Sequence, residues 1–145
     1  FICVLLISCI LVPNSYSYEL KITSENLEVD RKNNKSIFSG NVYAFNDEIK
    51  IWSEELMILL NESENEIKKL EAKNEVKIIK QNVIATGESS VYYPDTGIVN
   101  MYGNVEVHED NNIVKCDELF LDINNSLSIM KSSPLKRVEA SIISD

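Results

Sequence analysis

The sequence predicts an all-β fold in which antiparallel strands, each bent at a recurrent place, stack around one continuous apolar core. Three observations carry this prediction. From Tyr18 onward apolar residues recur with a period of two, the spacing of a strand with one buried and one wet face. Gly40-Asn41-Val42 returns as Gly103-Asn104-Val105, with Asn74-Glu75-Val76 as a degenerate copy. A small residue followed by an acidic one recurs as Ser24-Glu25-Asn26-Leu27, Ser53-Glu54-Glu55-Leu56 and Cys116-Asp117-Glu118-Leu119, with Gly87-Glu88-Ser89-Ser90 as a weaker copy. A glycine inside a strand marks a bulge or a tight bend, and asparagine best tolerates the same backbone angles.

The first seventeen residues are different in kind. Phe1–Val12 is uncharged and apolar apart from Ser8, and Pro13-Asn14 breaks the run. Its length suits the core of a signal peptide and falls short of the roughly 20 residues that span a bilayer. Ser15 and Ser17 fit the −3 and −1 positions of a cleavage site, so residues 1–17 read as a signal peptide, N-terminally incomplete because the chain starts at Phe1. Two other readings compete: an uncleaved anchor, and a lipidated Cys9 in Leu6-Ile7-Ser8-Cys9. Residues 18–145 read as a single domain that carries every charged residue.

Along that domain the elements follow in order. Leu20–Ile22 and Leu27–Val29 flank the first acidic kink. Phe38, Gly40, Val42 and Ala44 form one alternating face, and Arg31–Asn34 reads as the turn before it. Glu48–Trp52 and Leu56–Leu60 flank the second kink. Leu70–Ile78 is the clearest strand: Leu70, Ala72, Asn74, Val76 and Ile78 share the inner face, and Glu71, Lys73, Glu75 and Lys77 the outer. Val83–Ala85 and Val91–Tyr93 precede a turn at Asp95-Thr96-Gly97. Val99, Met101, Gly103, Val105 and Val107 repeat the inner pattern. Ile113–Cys116, Leu119–Ile123, Leu127–Met130 and Val138–Ile143 close the series, with a turn at Asn124-Asn125.

Composition removes several classes of function. A net charge of −9 argues against a nucleic-acid binder, which needs a basic face. With 44% hydrophobic and 26% charged residues the chain is globular. Three cysteines, two of them in the first seventeen residues, cannot form a disulfide scaffold. The single histidine, His108, rules out a His-rich metal centre, and no cofactor is implied. Glu54-Glu55 and Asp117-Glu118 invite a glycosidase pair, but adjacent strand residues face opposite ways and the pair recurs with the repeat, as solvated kinks would. His108 with Glu106 reads as an exposed strand-end pair, and Ser89-Ser90 lacks a nucleophile-elbow context. Trp52, Tyr92, Tyr93 and Tyr102 leave open a β-sandwich carbohydrate-binding module.

The phrases IFSGNVYA, LEAKNEVKI and NMYGNVEV, in register with the four kinks, resemble the OstA-like (organic-solvent-tolerance) family over roughly residues 20–143. The resemblance implies an open, twisted antiparallel β-jellyroll built from OstA-type repeats with an apolar interior groove. It implies a non-enzymatic periplasmic protein of lipopolysaccharide transport and outer-membrane assembly. Such a protein binds the lipid A part and bridges inner and outer membrane, or else is the membrane-anchored component of the same machine. Implied partners are lipopolysaccharide, OstA-like inner-membrane and outer-membrane export components, and further copies joined head to tail. The alternation then assigns Phe38, Val42, Leu56, Ile58, Ala72, Val76, Met101, Val105 and Leu121 to the groove. Leu20, Ile22, Leu27 and Val29 fall on one assembly edge, and Val138, Ala140 and Ile142 on the other. Lys68, Lys69, Lys131, Lys136 and Arg137 are basic residues that either meet lipid phosphates or only solubilise the surface.

Overall fold

The computed structural model describes residues 19–63 and 66–143. The strands are β1 (Lys21–Thr23), β2 (Asn26–Asp30), β3 (Lys35–Phe45), β4 (Ile49–Leu60), β5 (Ile67–Lys80), β6 (Val83–Tyr93), β7 (Ile98–Glu109), β8 (Asn112–Asp122), β9 (Leu127–Lys131) and β10 (Glu139–Ser141). They form one antiparallel sheet in chain order. β1 and β2 together line β3 at one edge, and β9 and β10 together line β8 at the other. Among the described residues there is no helix, and the two edges do not pair with each other. The expected open all-β roll is the fold observed.

The long strands correct one part of the sequence reading. Glu48–Trp52 and Leu56–Leu60 are not two strands but the single strand β4, and β6 and β8 likewise join segments read as separate. The acidic kinks do not end pairing; they are bulges within it. Register shifts fall between Ser39 and Val42, Trp52 and Glu55, Lys73 and Val76, Thr86 and Ser89, and Tyr102 and Val105. They lie side by side, so one line of irregularity crosses the whole sheet.

On that line the backbone is left-handed at paired positions: Gly40 (φ 82°) and Asn41, Asn74 (φ 66°) and Glu75, Gly103 (φ 80°) and Asn104. Only glycine, and to a lesser degree asparagine, takes such angles cheaply, which explains the repeat's residue choice. Asn74, expected on the inner face, is instead exposed at this bulge. Gly40 and Gly103 are not inward gaps either. A Cβ on either glycine would strike an acidic side chain, Glu25 in the kink between β1 and β2 or Glu88 on β6.

The bulges also set which residues face inward. On β3, β5 and β7 they preserve parity, so Val42 and Ala44, Leu70, Ala72 and Val76, and Met101 and Val105 keep one phase across the bulge. On β4 and β8 parity flips: Ile51 and Ser53 give way to Leu56 and Ile58, and Cys116 to Leu119. The sheet folds along the line. Ile49, Ile78 and Val83 at one end of the strands line the same cavity as Tyr92, Leu121 and Ile123 at the other. Apart from hydrogen-bonded neighbours, no two strands bring their backbones close together, as two layers about 10 Å apart require. The core is therefore one face of one sheet, creased upon itself.

Candidate functional site

The crease is held by a repeated bracket. Asn41 Nδ2 donates to Glu25 Oε1 at 2.7 Å, and Asn104 Nδ2 donates to Glu88 Oε1 at 3.0 Å. The Glu25 amide also donates to the Gly40 carbonyl at 3.0 Å. At the last kink the Ser133 amide donates to Asp117 Oδ2 at 2.8 Å. The small residue of the kink closes a local turn: Ser24 Oγ donates to the Asn26 carbonyl and Ser53 Oγ to the Glu55 carbonyl, each two residues on. At Cys116 the direction is reversed, with the Glu118 backbone amide donating to the sulfur. The acidic pairs are thus structural. Glu54-Glu55 and Asp117-Glu118 straddle bulges; Asp117 lines a cleft beneath residues 132–139 and Glu118 a separate one beside β9, so the two carboxylates do not meet in one site.

Inside the crease the largest fully buried side chains are Leu56, Met101, Val42, Val76 and Val105. Of the residues assigned to the groove, Ala72 and Ile58 are also buried, Phe38 packs against this cluster half-buried, and Leu121 lines the cavity. The nine lie on one face. Sequence reasoning did not single out Ile49, Ile51, Ser53, Ser90 and Tyr92 as interior, although all five line it. Their signal was the parity flip after each small-acidic pair.

The cavity measures about 90 Å³. That is roughly three water volumes at about 30 Å³ each, against about 300–1,000 Å³ for an ordinary ligand pocket. In this state the protein's own side chains fill the roll. Its wall is aliphatic or small apart from Tyr92 and Lys80. Burial, and then the nearby Glu48 carboxylate, push the Tyr92 phenol above its usual pKa, so it remains a hydrogen-bond donor at neutral pH. Burial also pushes the Cys116 thiol up, with Asp117 adding to the effect, which makes it a core residue and not a nucleophile.

The remaining chemical candidates are accounted for. His108 Nε2 lies 2.6 Å from Glu106 Oε1, both half-exposed on β7, and no group of three metal-ligating side chains occurs among the described residues. The four aromatics weighed as a sugar platform, Trp52, Tyr92, Tyr93 and Tyr102, are not brought together. Tyr43 stacks on Phe45 at 4.8 Å and on Trp52 at 4.9 Å, while Lys77 Nζ lies 5.4 Å from the Trp52 ring centroid. Tyr43 and Lys77 flank Trp52 on the neighbouring strands β3 and β5, so its ring is engaged within a ladder across the outer face. Tyr92 is interior, and Tyr93 and Tyr102 are exposed separately.

The two edges differ. On β1, Ile22 pairs opposite Ala44 and is half-buried, with Leu20 just before it; Leu27 and Val29 on β2 are 55% exposed. At the other edge β9 pairs with one half of β8, and of residues 138–143 only Glu139–Ser141 pairs with the other, so Ala140 lies in the ladder while Val138 and Ile142 lie just outside it, exposed. Between β9 and β10, residues 132–138 loop out opposite Cys116 and Asp117. Asp117 ties this strap down through Ser133 and through Lys136 Nζ at 3.5 Å. The Ser133 amide is the main reason the Asp117 carboxyl sits below its usual pKa. The first seventeen residues, including Ser15, Ser17 and Cys9, lie outside the described residues.

Comparison with known proteins converges on one family. The family profile described as “LptA/(LptD N-terminal domain) LPS transport protein” matches residues 21–126. Among solved structures, the chain is similar to the crystal structure of LptH from Pseudomonas aeruginosa. That structure is described as the LptA homologous periplasmic component of the conserved lipopolysaccharide transport device. The TM-score is 0.77 at 12% identity, covering 87% of this chain and 96% of that one, a likeness of fold. None of the curated proteins compared matches the chain in sequence.

Proposed function

Since the chain belongs to the LptA/LptD N-terminal domain family of lipopolysaccharide transport proteins, we propose that it works in the periplasm, binds the lipid A part of lipopolysaccharide inside the creased sheet, and bridges inner and outer membrane. The observation that carries the reading is the interior itself: an apolar cavity enclosed by one face of an open sheet, walled from both ends of the strands. Each acyl methylene leaving water for such a wall gains about 0.8 kcal/mol. Passage along it needs no catalytic group; the chain holds or releases, and work is supplied elsewhere.

A cavity of about 90 Å³ does not admit acyl chains as it stands, so binding requires the layers to part. The crease allows this. The layers are joined by hydrogen bonds only through strands that cross the line, and opening flexes bulges already irregular in pairing. The cost is loss of packing between the layers, which the entering chains restore. Bridging uses the edges: unpaired strands at both ends of a sheet invite strand addition, and two unlike edges propagate a filament instead of closing a dimer. The partners in this reading are OstA-like export components at the two membranes and further copies head to tail.

Photocrosslinking in cells tests the proposal. A photoreactive residue at Val76 is expected to capture lipopolysaccharide, and one at Lys77, on the opposite face of the same strand, is not. Capture from Lys77 with none from Val76 would overturn the assignment of the interior as the lipid path.

A further inference from the structure

We propose that Lys80 anchors the anionic head of the acylated ligand, a phosphate carried beside its chains, at the rim of the interior cavity. The proposal rests on the lipid-binding reading above and adds where the head group sits. β5 presents Leu70, Ala72, Val76, Ile78 and then Lys80 to the interior, so the lysine is the last inward residue before the β5–β6 turn. It pairs with Ile49 on one side and Val83 on the other, and all three line the cavity. No other residue in that wall carries a formal charge.

A half-buried lysine among aliphatic residues is arranged as an amphiphile requires. A lysine so placed lays its stem along apolar wall and keeps its ammonium toward water, and Lys80 is neither fully buried nor fully exposed. Among the described residues the Lys80 ammonium has neither an ion pair nor a side-chain hydrogen bond. The acids near this rim are Glu48, close enough to act on Tyr92, and the exposed Glu109, which faces the same side as Lys80 beyond Val83. A bound phosphate would compete with these carboxylates for the lysine, and the Tyr92 hydroxyl in the same wall adds an uncharged donor.

The other lysines of β5 are placed differently. Lys69 and Lys73 pair with Glu71 and Lys77 lies over Trp52, on the outer face, while Lys68 is exposed near the start of the strand and does not line the cavity. Lys136 is bound to Asp117 at the strap. The basic residues first considered for this role, Lys68, Lys69, Lys131, Lys136 and Arg137, do not line the cavity. The signal in the sequence was parity: Lys80 continues the inner set of Leu70–Ile78 by one further step.

The test is titration of the full chain, and of Lys80→Gln and Lys80→Arg variants, with diphosphorylated lipid A and with the same lipid stripped of its phosphates. Thermal unfolding of each variant establishes that it is folded. For the diphosphorylated lipid, Lys80→Gln is expected to bind roughly 10- to 100-fold more weakly, the range of a charge-assisted hydrogen bond, while Lys80→Arg stays close to the parent chain. For the stripped lipid all three proteins should bind alike. If Lys80→Gln binds the diphosphorylated lipid as tightly as the parent, or weakens both lipids equally, Lys80 is not the anchor although the interior still takes lipid. If the parent chain binds neither lipid, the lipid reading falls and this proposal falls with it.

Discussion

Replacing Glu75 by Asn is expected to stabilise the protein by roughly 1–2 kcal/mol, a figure built from two defects at one place. The acidic kinks and the left-handed pairs alternate across the sheet, and at two of three sites an asparagine reaches back to the preceding acid: Asn41 to Glu25 and Asn104 to Glu88. By register the third site sets Glu75 toward Glu54, two carboxylates where the repeat has an amide and a carboxylate. Glu75 also holds a left-handed φ of 54°, which asparagine accepts more readily. The substitution would relieve part of a left-handed cost of about 1–2 kcal/mol, add an exposed hydrogen bond of about 0.5–1.5 kcal/mol, and remove a like-charge contact worth a few tenths. For a chain of this size that is a rise in Tm of roughly 3–6 °C. Urea and thermal unfolding of the parent, Glu75→Asn, Glu54→Ala and the double variant form a cycle that isolates the bracket. If Glu75→Asn does not stabilise, or stabilises as much in the Glu54→Ala background, the bracket does not hold the crease and the reasoning is refuted.

Other outcomes follow from the same structure. Met101→Ala, at a side chain 1% exposed, should cost about 2–5 kcal/mol in urea unfolding. Because the Asp117 carboxyl is depressed below 3.8 in the folded chain, its hold on the strap is complete above that value and is lost as pH falls through the folded pKa. Protection of the Ser133 amide against hydrogen exchange should therefore hold above 3.8 and fall as pH drops below it, and Asp117→Asn should flatten that dependence. Deleting residues 138–145 should leave a folded monomer that binds lipid yet forms no concentration-dependent ladder by light scattering. Mass spectrometry of the exported protein should place its N-terminus at Tyr18; a retained or lipidated segment would favour the membrane-anchored reading.

What could be read in the sequence divides along the crease. On β3, β5 and β7 the bulge spans two residues and leaves the inward parity unchanged, so Val42, Ala72, Val76, Met101 and Val105 stood out as core. On β4, β6 and β8 the parity flips within the strand. Period-two reading then breaks one strand into two and loses Ile51, Ser53 and Ser90 from the interior. Asn74 was misplaced for a related reason: alternation treats every residue as extended, and a left-handed residue turns its side chain out of phase. The closed state of the cavity had no signature at all, because side-chain packing between layers depends on the fold angle and not on spacing. Tyr43, Phe45 and Trp52 lie on two different strands and became one stack only through the cross-strand register.

The alternation of the two strand types also governs how such a molecule can change in size. A parity-keeping strand with its left-handed pair must lie beside a parity-flipping strand with its acid, since the bracket needs one of each. Adding or losing one strand would set like against like and leave a left-handed pair without its acid. Growth is therefore quantised: a viable insertion brings a whole hairpin, two strands at about 4.8 Å each, and lengthens the interior by about 10 Å. The apolar path behaves as a ruler graduated in hairpins, and its span can be counted from the number of small-acidic pairs in a sequence.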